Sequence, residues 1–179
     1  MASEILQWPL TTAFAAEQRA ARLGNILEET TDAVLMKDLA GRYHFANRAA
    51  ALLLGRGPHE VVGRSDAELL AADAAAAVRD VERRVLDAGR TLVHEETRTV
   101  DGLLRQCVST RGVFRNVHGE VTGLFCVTRA AGGSREVEAE VVSLAAEVET
   151  PQEAALILRP FHLHAVAALL RQRRDRQAS

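Results

Sequence analysis

The 179-residue chain is poor in lysine, aromatics and cysteine, and each shortage narrows what it can do. Lys37 is the only lysine, so arginine carries nearly all the positive charge and there is no free choice of a Schiff-base or phosphate-gripping lysine. Aromatics make up 4% of residues, which leaves Ala, Val and Leu to build the core. Two cysteines, Cys107 and Cys126, are too few for a disulfide framework and lack metal-type spacing. No stretch reaches the roughly 18 uncharged apolar residues of a membrane span. The start, Met1-Ala2-Ser3-Glu4, lacks the basic and apolar regions of a secretory signal. A net charge of −2 argues against a globally basic nucleic-acid binder. A cytoplasmic protein with reduced thiols and no membrane role is expected. Hydrophobic residues at 47% and charged residues at 26% describe a globular chain, one domain or a small domain with helical extensions.

The period of the hydrophobic pattern changes along the chain. Ala13, Ala16, Ala20, Leu23 and Leu27 recur at three and four, which predicts a helix over 11–29 with one narrow apolar stripe and Gly24 weakening its middle. Ala33–Lys37 and Arg42–Ala46 read as strands around an Asp38–Gly41 turn. Asn47 caps a short helix that ends at Gly55, two more helical turns follow near 58–62 and 66–70, and Asp73 caps a longer helix ending at Gly89. Three strand-like runs come next, 91–100, 103–115 and 121–129, the first two joined by Asp101-Gly102, a hairpin signal. After Ala131-Gly132-Gly133, helices are predicted over about 134–149 and 151–176. Val137, Val141, Leu144 and Val148, spaced four, three and four, form a heptad-like seam. Strands, short helices and then antiparallel strands make an α+β fold.

The segment Thr31–Asn47, the Leu54-Gly55 helix end, Glu60-Val-Val-Gly-Arg64, the Asp66-Ala-Glu-Leu step and the closing strand Gly119–Arg129 together resemble a PAS domain. The resemblance covers about residues 26–130. It implies a five-stranded antiparallel sheet with short flanking helices, and a small-molecule pocket between sheet and helices. The division expected is 1–29 as lead and amphipathic helix, 30–130 as the PAS-like domain and 131–179 as a helical extension. Flavin-binding members carry a reactive cysteine where this chain reads Gly63-Arg-Ser-Asp-Ala-Glu68, so cysteinyl photochemistry is not expected. Haem is disfavoured because the helix 73–86 has no histidine. The cofactor stays unassigned. Flanking helices of such domains commonly dimerise, which makes Leu23, Leu27, Val137, Val141, Leu144 and Val148 candidates for a homodimer or partner-helix seam.

Alternation along the strands nominates the pocket residues. Leu124, Cys126 and Thr128 share one face of the last strand, which PAS analogy turns inward. On the strand before, Leu104, Gln106, Val108 and Thr110 are less charged than Arg105, Cys107, Ser109 and Arg111. The pocket candidates are therefore Gln106, Val108, Leu124, Cys126 and Thr128. Side chains filling the space is the competing reading. His94 and Glu95 point to opposite faces and read as a solvated edge; His162 and His164 diverge on a helix and hold no metal. Both cysteines read as structural, although Cys107 has Arg105 and Arg111 on its face.

The near-neutral total conceals opposed blocks. Residues 134–153 sum to −5 and residues 159–179 to +4, with Arg171, Arg173, Arg174 and Arg176 crowding the end. Opposite signs on consecutive helices suit helix pairing. The expectation is a stand-alone sensory or interaction module of the bacterial-regulator kind. It binds a small ligand or a signalling protein and transmits the change through dimerising flanking helices, without catalysis. The alternative is a DNA-associated transcriptional regulator using the arginine-rich tail, although the charge balance leaves nucleic acid a disfavoured partner.

Overall fold

The computed structural model describes residues 18, 21–100 and 103–158. A helix over 21–29 (α1) leads into β1 (Ala33–Asp38), β2 (Tyr43–Ala46), α2 (Arg48–Leu53), α3 (Pro58–Val61), α4 (Asp66–Leu69) and α5 (Ala72–Ala88). Then come β3 (Leu92–Val100), β4 (Leu103–Arg115), β5 (Val121–Ala130), α6 (Glu136–Glu147) and α7 (Pro151–Leu158). The strands form one antiparallel sheet in the order β2-β1-β5-β4-β3. This is the five-stranded, PAS-like α+β architecture expected from the sequence.

Local chemistry explains the joints. The Asp38 carboxylate accepts from the Arg42 N–H at 2.9 Å and closes the β1–β2 turn. Asn47 caps α2 by accepting from Ala50 N–H at 3.0 Å, and the same oxygen accepts from Val34 N–H at 2.9 Å. Its amide donates to Leu27 O at 2.7 Å and Asp32 O at 2.9 Å, so all four of its hydrogen-bonding positions are used. One buried side chain thereby fixes α1, β1 and α2 to one another.

The main apolar core lies on one face of the sheet. Val34, Met36, Phe125 and Val127 of that face meet Leu23 and Leu27 of α1, Val137, Val141 and Leu144 of α6, Val148, and Leu158 of α7. Phe114 and Phe125 meet edge to face, their centroids 5.9 Å apart. The seam expected to join two copies is thus used within the chain. Leu23, Leu27, Val137, Val141, Leu144 and Val148 are all buried against their own sheet. The four-three-four spacing identified a buried stripe correctly, but such a stripe fits a sheet face as well as a partner helix. The arginines at 171, 173, 174 and 176 and the histidines at 162 and 164 lie outside the described residues. Within α6, Glu138, itself buried, pairs with Arg129 of β5 at 3.3 Å and Arg135 at 2.8 Å.

Close backbone approach accounts for two glycines. A Cβ on Gly24 would lie 2.8 Å from the Leu158 carbonyl oxygen, so the residue that weakens α1 as a helix also lets α1 meet α7. A Cβ on Gly123 would overlap Pro151 Cγ and lie 2.5 Å from the Lys37 carbonyl oxygen. Gly123→Ala is therefore expected to cost about 1–3 kcal/mol by overpacking. The check is a chemical-denaturation curve; an unchanged midpoint would mean that α7 does not sit on β5.

Candidate functional site

The opposite face of the sheet is built differently. Under α2, α3 and α4 it carries a second small core of Ala33, Tyr43, Ala46, Ala50, Ala51, Val61 and Leu69. Towards β4 and β3 it turns polar. The cross-strand register places Lys37 beside Leu124, Cys126 beside Arg111, Thr128 beside Ser109, Ser109 beside His94, and Cys107 beside Glu96, all on this face. The 17-residue α5 that lies over it buries only Ala75 and Val85. Val78, Val81 and Glu82 on the helix, and Leu92, His94, Glu96 and Val113 on the strands, are half-buried. The helix therefore covers this side of the sheet only in part.

Two connected networks fill the face. In the first, Lys37 is 1% exposed and its Nζ lies 2.5 Å from Asp66 Oδ2 and 2.6 Å from Glu82 Oε1. The ammonium also sits 4.4 Å from the centre of the Tyr43 ring, and Tyr43 donates its hydroxyl proton to Asp66 Oδ1 at 2.6 Å. Burial, followed by the hydrogen bond to Asp66 and its charge, pushes the Tyr43 phenol far up, so it remains a donor. Burial also raises the Glu82 carboxyl, against the pull of the Lys37 charge and hydrogen bond.

In the second network, Arg111 is 7% exposed and donates to a ring nitrogen of His94. Burial, then the Arg111 charge, lowers the His94 pKa, keeping the imidazole a neutral acceptor. Glu96 accepts from the Ser109 hydroxyl and from Arg98 at 3.0 Å. Burial opposes its ionisation, but these bonds and the Arg98 and Arg111 charges hold its carboxyl below the usual range. Ser109 and Thr128 hydroxyls are 2.7 Å apart, and Cys126 Sγ is 3.6 Å from Thr128 Oγ1. Among the described residues no group of three His, Cys, Asp or Glu side chains is arranged to hold a metal ion.

Of the residues nominated from sequence, Leu124, Cys126 and Thr128 lie together on this face. Gln106 and Val108 do not. Gln106 is exposed and donates to Thr97 at 3.1 Å, and both residues lie on the alternate face of β4 from Cys107, Ser109 and Arg111. The error has a physical cause. Charge does not mark the outside of β4: the inward set is the charged one, and it faces His94 and Glu96 of β3. His94 and Glu96 were missed for a related reason: residues 94 and 95 diverge, but 94 and 96 share a face. Lys37, noticed only for its rarity, is among the most deeply buried side chains described.

Solved structures with this fold include VqmA of Vibrio cholerae. A VqmA dimer without target DNA matches at 22% identity and TM-score 0.52, covering 59% of this chain and 48% of that one. A VqmA–ligand–DNA complex matches at 20% identity and TM-score 0.54, covering 69% and 56%. The chain thus spans about half the length of the VqmA chains it matches. The PAS domain of Bordetella pertussis BvgS matches at 16% identity and TM-score 0.52, covering 73% of this chain and 99% of that domain. Among curated proteins none matches. Among the described residues, no helix is long and apolar enough to cross a membrane. Residues 27–136, more than half of the chain, match the family model for the PAS fold, and the chain belongs to the PAS family.

Proposed function

We propose that this PAS signalling module senses a small molecule held between α5 and the polar face of the sheet, and works by binding rather than turnover. The observation that carries the reading is the polarity of that face. Buried Lys37, Arg111, Ser109 and Thr128 occupy positions a purely structural sheet would fill with aliphatics, and their neighbours under α5 (Val78, Val81 and Glu82 on the helix, Leu92, His94 and Glu96 on β3) are only half-buried. Adjacent residues of β5 connect the two layers. Thr128 belongs to the polar face, while Arg129 pairs with Glu138 of α6 on the other. A change in β5 is thereby felt at the outer helices, which would present it to a signalling partner. The homodimer expected from the sequence loses the seam that carried it, so a second copy would have to dock on other residues.

Native mass spectrometry with an absorbance spectrum of freshly purified protein tests the reading. A non-covalent adduct of a small organic molecule, lost on denaturation, is the expected result. A bare chain whose melting temperature no small organic acid, amide or alcohol shifts would contradict it. The second reading, a DNA-associated regulator, draws on VqmA, a protein whose structures include a complex with ligand and DNA. Salt-dependent retention on DNA, lost on deleting residues 171–179, is its distinguishing result.

A further inference from the structure

The β3–β4 end of the polar face holds a cation whose pairing is incomplete. Among the described residues, the hydrogen-bond acceptor of Arg111 is the neutral His94 ring. Its nearest carboxylate oxygen, Glu96 Oε1, is 3.8 Å away, beyond hydrogen-bond distance, and Glu96 is already engaged by Ser109 and Arg98. Burying a guanidinium is costly unless its charge and its N–H groups are met. Resting on the ligand-binding reading above, we propose that Arg111, oriented by His94, receives the carboxylate of a small organic acid that enters between α5 and strands β3 and β4.

The class of ligand follows from charge and shape. Glu96 is bonded to Arg98 at 3.0 Å and lies 3.8 Å from Arg111, so a singly charged acid suits Arg111 better than a more highly charged anion. A dianion such as phosphate would face Glu96, with Glu82 beyond it. The guanidinium fork matches a planar carboxylate through two parallel N–H donations. The Ser109 and Thr128 hydroxyls, one and two strands from the edge, are engaged with Glu96 and with one another, which leaves recognition of the carboxylate to Arg111. Leu92, directly across from Arg111, and Val113, two residues along β4, are half-buried and offer an apolar wall for the body of the acid. Arg105 stands directly opposite Arg98 at the open end, adding to the field that draws an anion in.

Titration of the full chain with benzoate, hexanoate, their primary amides and inorganic phosphate tests the proposal. Saturable binding of at least one of the two acids is expected, with its amide weaker by about tenfold or more, the loss of one charge-assisted hydrogen bond. Arg111→Lys should weaken that acid similarly. The Arg111 Nε–H resonance, identified by its absence in that variant, should move on binding to the wild-type chain. Should Arg111→Lys fold poorly, the wild-type resonance, assigned instead by through-bond correlation to the Arg111 backbone, still decides the matter. Amides binding as well as acids, or an unmoved Arg111 resonance, would overturn the carboxylate assignment while leaving ligand binding intact. Phosphate binding more tightly than both acids would overturn the monoanion class. Absence of binding by acids and amides alike would overturn the proposal, and a bare chain in native mass spectrometry would then remove the sensing reading beneath it.

Discussion

Lys37→Met is expected to destabilise the chain by about 3–5 kcal/mol at neutral pH, because it leaves the Asp66 and Glu82 carboxylates inside without their counter-ion. For a chain of this size that corresponds to a fall in melting temperature of roughly 6–20 °C. The deficit should depend on pH, and its sign follows from Glu82. Burial raises the Glu82 carboxyl in the folded chain, so the fold holds that proton more tightly than the unfolded chain does. Stability from this group is fully present below the unfolded glutamate pKa and is lost as pH rises through the higher folded value. Removing the Lys37 charge removes a pull that lowers the folded value, so that value climbs further. The Lys37→Met deficit should therefore be greatest at neutral pH and shrink as pH falls towards the ordinary glutamate range of about 4.3. Adding Glu82→Gln should recover part of the loss at neutral pH. Urea unfolding across this range measures both effects, and a deficit independent of pH would contradict the assigned network.

Asn47→Ala should cost more than about 3 kcal/mol, since each buried group stripped of its partner costs about 1–3 kcal/mol and four groups are affected. Val34 N–H and Ala50 N–H lose an acceptor, and the Leu27 and Asp32 carbonyls lose a donor. Asn47→Ser retains a capping oxygen for α2 and should recover about 1 kcal/mol relative to alanine. Asn47→Asp keeps both accepting bonds but turns a carboxylate oxygen towards two carbonyls, so it should not restore stability. Equilibrium unfolding of the three variants separates capping from the tie to α1. Equal stability of the serine and alanine variants would show that the cap contributes nothing.

The Asn47 cap was legible in sequence because an N-cap is a local pattern: a short polar side chain immediately before an alanine-rich run. The strands were legible for the same kind of reason, with period-two alternation between turn residues, and their order followed from the PAS resemblance. The surfaces that cover each element were not legible. Val137, Val141, Leu144 and Val148 announce a buried stripe, yet spacing alone does not separate a second helix from the face of β4 and β5. On β4 the rule that charge faces water selected Gln106 and Val108 over Ser109 and Arg111. It failed because Arg111 and Glu96, 15 residues apart in sequence, are brought to the same inward face by antiparallel register. The alternations His94-x-Glu96 and Cys107-x-Ser109-x-Arg111, aligned through the Asp101-Gly102 hairpin, would have brought these side chains to one face. Lys37 needed Asp66 and Glu82, which lie 29 and 45 residues away.

The division of the sheet into a dry face under α1, α6 and α7 and an openable polar face under α5 is tested most directly by native-state hydrogen exchange on the full chain. Amides of α5, which buries two of its side chains, should exchange through local opening well before those of α6, which buries five. Exchange of α5 as slow as that of α6 and the central strands would contradict a face that admits a ligand.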